Sequence, residues 1–138
     1  MGEALIAFAA RHVETFNAAV RSGDFAPLVE LFADDASLEF VGVPAGPFEG
    51  RAAIAAAYAA QPPTDTLTVL SVHVEDDGTV VEPFSWSADA GARSGEMRVV
   101  VAGDRIRRLV ISFQREAALR TGASPRDRRT GRGSGSSG

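Results

Sequence analysis

Few side chains in this 138-residue chain could move a proton or hold an anion. It has no cysteine and no lysine, which excludes thiolate nucleophiles, disulfides, Cys-ligated zinc and Schiff-base chemistry. Glu96 and Arg98 lie two residues apart and share one face if they sit on a strand. A carboxylate desolvated beside apolar walls has its pKa raised toward the range of a general acid or base. Arg98 would oppose that shift, or would hold an anionic or carbonyl oxygen of a ligand. The alternative is that the two satisfy each other, as buried charges normally do. His73 becomes a second candidate if a hairpin sets it opposite Glu82; an exposed cross-strand pair is the alternative. Tyr58 offers a hydroxyl from a helix, and His12 lies on an apolar helical stripe, either bonded to backbone or at a cavity rim. Glu96, Arg98, Tyr58 and His73 are therefore the candidate catalytic groups. No multi-carboxylate or His-rich cluster has metal-ligand spacing, so neither a metal nor a cofactor is implied.

Three helices and several strands must position these groups. Leu5, Phe8, His12, Phe16 and Val20 form one stripe of a helix over Glu3 to Arg21. Asp24 can cap a second helix carrying Phe25, Leu28, Val29 and Phe32. Leu38 and Phe40 alternate with Glu39 in a strand over Ser37 to Val43, and the loop GVPAGP ends it. Gly50-Arg51 opens an Ala-rich third helix with Ile54 and Tyr58, which QPPTD stops. Strands follow over Thr66 to Glu75, Val80 to Ala88, Glu96 to Ala102 and Arg105 to Gln114. A two-residue turn at Asp77-Gly78 would set Val69 opposite Trp86 and His73 opposite Glu82. A two-residue turn at Gly103-Asp104 would set Arg98 opposite Leu109 and Glu96 opposite Ile111. Phe84, Trp86, Leu109, Ile111 and Phe113 then line a concave side, while Leu70, Val72, Val74, Val81 and Val110 fall on the convex one. A second apolar face is costly to leave wet, which predicts a homodimer through the convex face.

The order of these signals resembles the nuclear transport factor 2-like superfamily, which includes ketosteroid isomerases, limonene epoxide hydrolases and SnoaL-like polyketide cyclases. The residues carrying the resemblance are Gly23-Asp24, the run LFADDA at 31–36, and F-x-G-R-x-x-I at 48–54, within a match over about residues 3–115. It implies an α+β cone: three N-terminal helices packed on a strongly curved, mostly antiparallel sheet. Ketosteroid isomerases are the most similar, through A-x-Y ending at Tyr58 and Pro83-Phe84. In that alignment the hydroxyl-donor position falls on Phe16 and the base position on Phe40, and neither can do proton chemistry. The second carboxyl falls on Arg98 or Met97. Limonene epoxide hydrolases carry Arg and Asp where this chain has Phe84-Ser85-Trp86, and the SnoaL-like acid falls near Ile111. The resemblance thus implies the fold without either established site, and not a standard ketosteroid isomerase.

Charge and composition bound the partners. Residues 1–114 carry 8 Arg against 16 acidic groups, near −8, whereas 115–138 carry 6 Arg and only Glu116 and Asp127. We expect a SnoaL-like domain over 1–115 and a disordered basic Gly/Ser/Arg tail over 116–138, part of it reading as an appended sequence. An acidic body argues against nucleic acid, and no apolar run reaches the ~18 to 20 residues of a membrane span, so a cytoplasmic protein is expected. The expected ligand is a small apolar or aromatic molecule contacting His12, Phe16, Phe40, Phe84, Trp86, Leu109, Ile111 and Phe113. The expected activity is cofactor-independent isomerase, cyclase or hydrolase chemistry on an apolar carbonyl compound. The rival is a non-catalytic homodimeric domain with a filled interior.

Overall fold

The computed structural model describes residues 2–114; the tail expected over 116–138 lies outside the described residues. Helix α1 runs Gly2–Ser22 and stops at Gly23, whose φ of +82° suits a residue without Cβ and whose N–H still bonds the Ala19 carbonyl at 2.7 Å. Asp24 Oδ1 accepts from the Ala26 N–H at 3.1 Å, opening α2, Ala26–Val29. This helix is one turn long, shorter than the apolar spacing through Phe32 predicts. The Leu31 N–H closes it by bonding the Leu28 carbonyl, and the chain then extends into β1, Phe32–Val41, because Phe32 pairs with Ile106 of a later strand. Tertiary pairing overrides local periodicity here.

The remaining elements are β2 Phe48–Glu49, α3 Arg51–Ala60, β3 Leu67–Val69, β4 His73–Val74, β5 Val80–Trp86, a single 3₁₀ turn Ser87–Asp89, β6 Gly95–Ala102 and β7 Arg105–Phe113. The sheet order is β2-β1-β7-β6-β5-β3, with β4 also on β5. All pairs are antiparallel except β1 with β7. This is the expected α+β cone, three helices over a curved, mostly antiparallel sheet. Its core holds Ala9 and Phe16 of α1, Leu28, Ile54 of α3, and Phe32, Leu38, Val80, Phe84, Val99, Ile106 and Leu109 of the sheet.

Two registers differ from expectation. The first hairpin has a three-residue loop, Asp76 to Gly78, closed by Glu75 and Thr79. Asp77 Oδ1 accepts from the Thr79 N–H at 2.9 Å, which lowers the Asp77 pKa, and Gly78 takes a φ of +89°. This is the longer hairpin form with a positive-φ residue in its last position. His73 therefore pairs with Val81, not Glu82, and Val69 with Phe84, not Trp86. Val74 pairs with Val80 and packs against the core, so it does not belong to the convex face. In the second hairpin Ala102 does pair with Arg105, but a bulge follows: Val101 faces Ile106 and Val100 faces Arg108. The extra residue slips the register by one, so Arg98 pairs with Val110 and Glu96 with Ser112. Both side chains turn to the convex face.

Gly95 marks where the inner face is tightest. It lies between Phe84 and Phe113 in the ladders, and an added Cβ would collide with the Ser112 carbonyl oxygen and come 3.1 Å from the Phe84 ring. Gly95→Ala should therefore lower stability by about 1–3 kcal/mol through overpacking, read as a fall in the urea midpoint with an unchanged slope. An unaltered midpoint would mean the strand has slack.

Candidate site in the interior of the cone

The period-2 alternation of β5 sends Val80, Glu82, Phe84 and Trp86 to one side, and their partners Val99, Met97 and Gly95 on β6 are all buried. Met97 pairs in turn with Ile111, and Ile111 with Phe40 of β1, so Glu82 belongs to an otherwise apolar row across four strands. Helix α1 closes this face. Leu5 reaches to within 4.0 Å of where a Gly78 Cβ would stand, and the Phe16 and Trp86 rings lie 6.2 Å apart. Asn17 fixes the same end, donating to the Leu67 carbonyl and accepting from the Leu67 N–H, both at 2.9 Å. His12 sits between these tethers and is buried.

Aromatic rings line the interior beyond Glu82 on β5. Phe84 meets Trp86 at 5.2 Å and Phe113 at 6.5 Å, both edge to face, and Phe40 stacks on Phe113 at 6.2 Å while meeting Phe48 edge-on. Phe40, Trp86, Ile111 and Phe113 are only half-buried, so the cluster runs from the core to the surface. Of the residues expected to line the interior, Phe16, Phe40, Phe84, Trp86 and Phe113 are linked by ring contacts. Leu109, Ile111 and His12 share the same interior.

Among the described residues, the buried side-chain atoms without a hydrogen-bond partner are His12 Nδ1 and Nε2, Glu82 Oε1 and Trp86 Nε1. All three residues belong to this interior. Glu82 is 1% exposed and His12 2%. Desolvation pushes the Glu82 carboxyl up to about 7 and holds His12 down to about 4. Near neutral pH the pair is thus a half-protonated acid and an uncharged imidazole. Neither supplies a charge that stabilises the other. Leaving such groups unmet costs on the order of 1–3 kcal/mol each.

The four groups expected to be catalytic are not brought together. Arg98 bonds Glu75 at 2.5 Å and approaches Glu96 at 3.6 Å, while Arg93 holds Glu96 at 3.1 Å, all on the convex face. His73 is exposed on that same side. Tyr58 is buried on α3, stacked on Phe25 at 5.4 Å, and desolvation raises its pKa further. It lines an open depression of about 980 Å³ between α2 and α3, where Arg51 and Arg105 already pair with Asp34 and Asp104. For Glu82 sequence reasoning had the face right and the partner wrong: it is buried and pairs with Met97, not exposed near the hairpin end opposite His73. The alternation V-x-E-x-F-x-W already assigned it to the side of Phe84 and Trp86.

The helices, the cone and the polar groups inside it define an α+β protein of the nuclear transport factor 2-like kind. The model of the SnoaL-like domain matches residues 13–113, and the chain belongs to that family. A candidate isomerase from Bacillus subtilis superposes with a TM-score of 0.66 at 21% identity, covering 80% of this chain and 88% of that one. A candidate ketosteroid isomerase from Kribbella flavida gives 0.58 at 20%, covering 81% and 78%, and a computationally designed 17-OHP binder gives 0.61 at 13%, covering 80% and 93%. At these identities the likeness concerns the fold. No curated protein matches the chain.

The two buried ionisable groups predict a specific pH dependence. The unfolded His12 takes up a proton below 6.5 while the folded one stays neutral to about 4, so its stabilising share is present above 6.5 and lost as pH falls. The unfolded Glu82 ionises above 4.5 while the folded one keeps its proton to about 7, so stability falls as pH rises across that window. Glu82→Gln should therefore gain on the unmodified protein by up to ~1.4 kcal/mol per pH unit between those values and level off above them. Melting curves that run parallel at every pH would show that Glu82 titrates normally.

Proposed function

We propose that this SnoaL-like domain binds a small, largely apolar molecule at the aromatic end of the cone, and that any proton transferred during turnover passes through Glu82. The observation that carries this reading is the set of unpartnered atoms of Glu82, His12 and Trp86 behind a ring cluster that reaches the surface. A ligand that enters between the rings meets those groups and removes the cost of leaving them bare. A carboxyl titrating near 7 can give a proton to a carbonyl oxygen or take one from the adjoining carbon. The unpartnered Trp86 N–H can hold the same oxygen. Isomerase or cyclase chemistry on a carbonyl compound, with no resident cofactor and in the cytoplasm, fits these groups better than the outward Glu96–Arg98 pair does.

Trp86 is the one tryptophan of the chain, so its emission reports directly on the site. Titration with a panel of terpenoid, steroid and aromatic ketones should shift that emission and raise Tm by an amount logarithmic in ligand concentration, about 2.7 kcal/mol at 100 times Kd. Glu82→Gln should keep the emission change and abolish turnover. A panel that moves neither emission nor Tm would favour the second reading, a filled non-catalytic domain. The mutual contacts of the rings support that reading.

Either reading is compatible with a homodimer through the convex face, which we also propose. Leu70 and Val72, between β3 and β4, are 44% and 41% exposed; on the convex face Val110 is half-buried, while Val81 is already covered within the chain. Val72→Glu should shift sedimentation at tens of micromolar from dimer to monomer; roughly, a Kd of ~1 μM gives mostly dimer in that range. An unmodified protein sedimenting as a monomer would count against the dimer.

A further inference from the structure

The interior of the cone is unbalanced in charge. Glu82 is the one acidic side chain on it among the described residues, and no basic side chain answers it. Every arginine of residues 1–114 is exposed or half-exposed. Those nearest in the sheet, Arg98 and Arg108, lie on the outside and are paired with Glu75 and Glu39. His12 is kept neutral by its own burial, so it offers a lone pair but no charge. An uncompensated carboxylate in such a place is costly and the free protein meets that cost by keeping a proton on it. A positive ligand group would meet it instead.

The walls suit such a group. Phe84 occupies the next inward position after Glu82 on β5, Trp86 the one beyond it, and Phe16 reaches across from α1 to Trp86. Aromatic faces carry negative electrostatic potential and attract ammonium groups, most strongly at tryptophan and when water is excluded. An anionic ligand would find no cation inside and a carboxyl already present. The charge of residues 1–114, near −8, repels anions and steers cations toward the molecule.

We propose that the ligand of the cone is an organic cation: a ring-bearing amine whose ammonium pairs with Glu82 and donates to the free nitrogen of His12, while its hydrocarbon body lies against Phe16, Phe84 and Trp86. This rests on the reading that the cone takes a small molecule, and adds the sign of that molecule's charge. The Trp86 N–H remains to bind an acceptor elsewhere on the ligand. On binding, the carboxyl proton of Glu82 leaves to solvent and the ammonium takes its place as the group facing the carboxylate.

A matched probe set tests the charge apart from the site: 2-phenylethylamine, 2-phenylethanol and 3-phenylpropanoate, titrated into the full-length protein by calorimetry at about pH 6, in two buffers of different ionisation enthalpy. The amine should bind roughly tenfold or more tighter than the alcohol, and the carboxylate more weakly than either. Amine binding should release about one proton, whereas the alcohol should release none. Glu82→Gln, which keeps the shape of the side chain, should remove both the preference and the proton release while leaving the alcohol's affinity in place. Trp86 emission should change with every probe that binds in the cone. If the alcohol binds with Trp86 perturbed but the amine binds no better and releases no proton, the cation proposal is overturned and the cone reading stands. If no probe alters the emission, both are overturned.

Discussion

A single extra residue in β7 decides which of that strand's side chains face the interior. Ile106 and Leu109 are three apart yet both buried, because a bulge at Arg107, opposite Val100 and Val101 of the partner strand, absorbs the odd residue. From that point outward the pairing runs Val99 to Leu109, Met97 to Ile111 and Gly95 to Phe113, so the inner lining is apolar for the whole length of the two longest late strands. Without the bulge Leu109 would stand beside Arg98 and Ile111 beside Glu96, and because β5 pairs Val80 with Val99 and Glu82 with Met97, it is the outer part of β7 that would turn its apolar side chains to solvent. The charged ladder of Arg93, Glu96, Arg98 and Glu75 lies on the other side of β6 from Met97 and Val99, and the bulge keeps Leu109 and Ile111 off that side. Half-exposed pairs of that kind contribute about 0–1 kcal/mol each, far less than the core they would displace.

What the bulge leaves inside is a core with a defect. Phe84, Met97 and Ile111 could close around an apolar residue at position 82, yet a carboxyl stands there, and a histidine stands on the helix opposite. Exclusion of water alone, not a partner, keeps the histidine neutral and raises the carboxyl to about 7. A core evolved only for stability would not retain such groups, since replacing both with hydrocarbon of similar volume is close to neutral or better. That argues for a role of the interior beyond packing. Family membership and the likeness to the other solved cones supply the frame for such a role, not its chemistry.

The sequence spoke clearly about elements and poorly about registers. Gly23-Asp24, the Ala-rich helix after Arg51 and the late run of strands are local signals, and each names its element within a few residues. The parallel pairing of β1 with β7 is invisible locally, because Phe32 becomes part of a strand through a partner some seventy residues away. Asp77-Gly78 suggests a two-residue turn, yet the Asp77 carboxylate binds the Thr79 N–H and lengthens the loop by one, which moved His73 away from Glu82. The bulge in β7 did leave a trace, since Ile106 and Leu109 break the period of two. Reading that trace would have turned Glu96 and Arg98 outward and left Glu82 as the interior carboxyl.

The two hydrogen bonds from Asn17 to Leu67 do more than tether a helix. β3 ends one side of the sheet, so the Leu67 N–H and carbonyl that point away from β5 are free to pair with a strand from another molecule. The Asn17 side-chain amide has the same donor and acceptor as a peptide unit and occupies both. It acts as a false next strand, one residue long. An asparagine on a helix thereby closes the first position of a three-residue edge against cross-β growth, while β2, at the other margin, is only two residues long and offers little to extend.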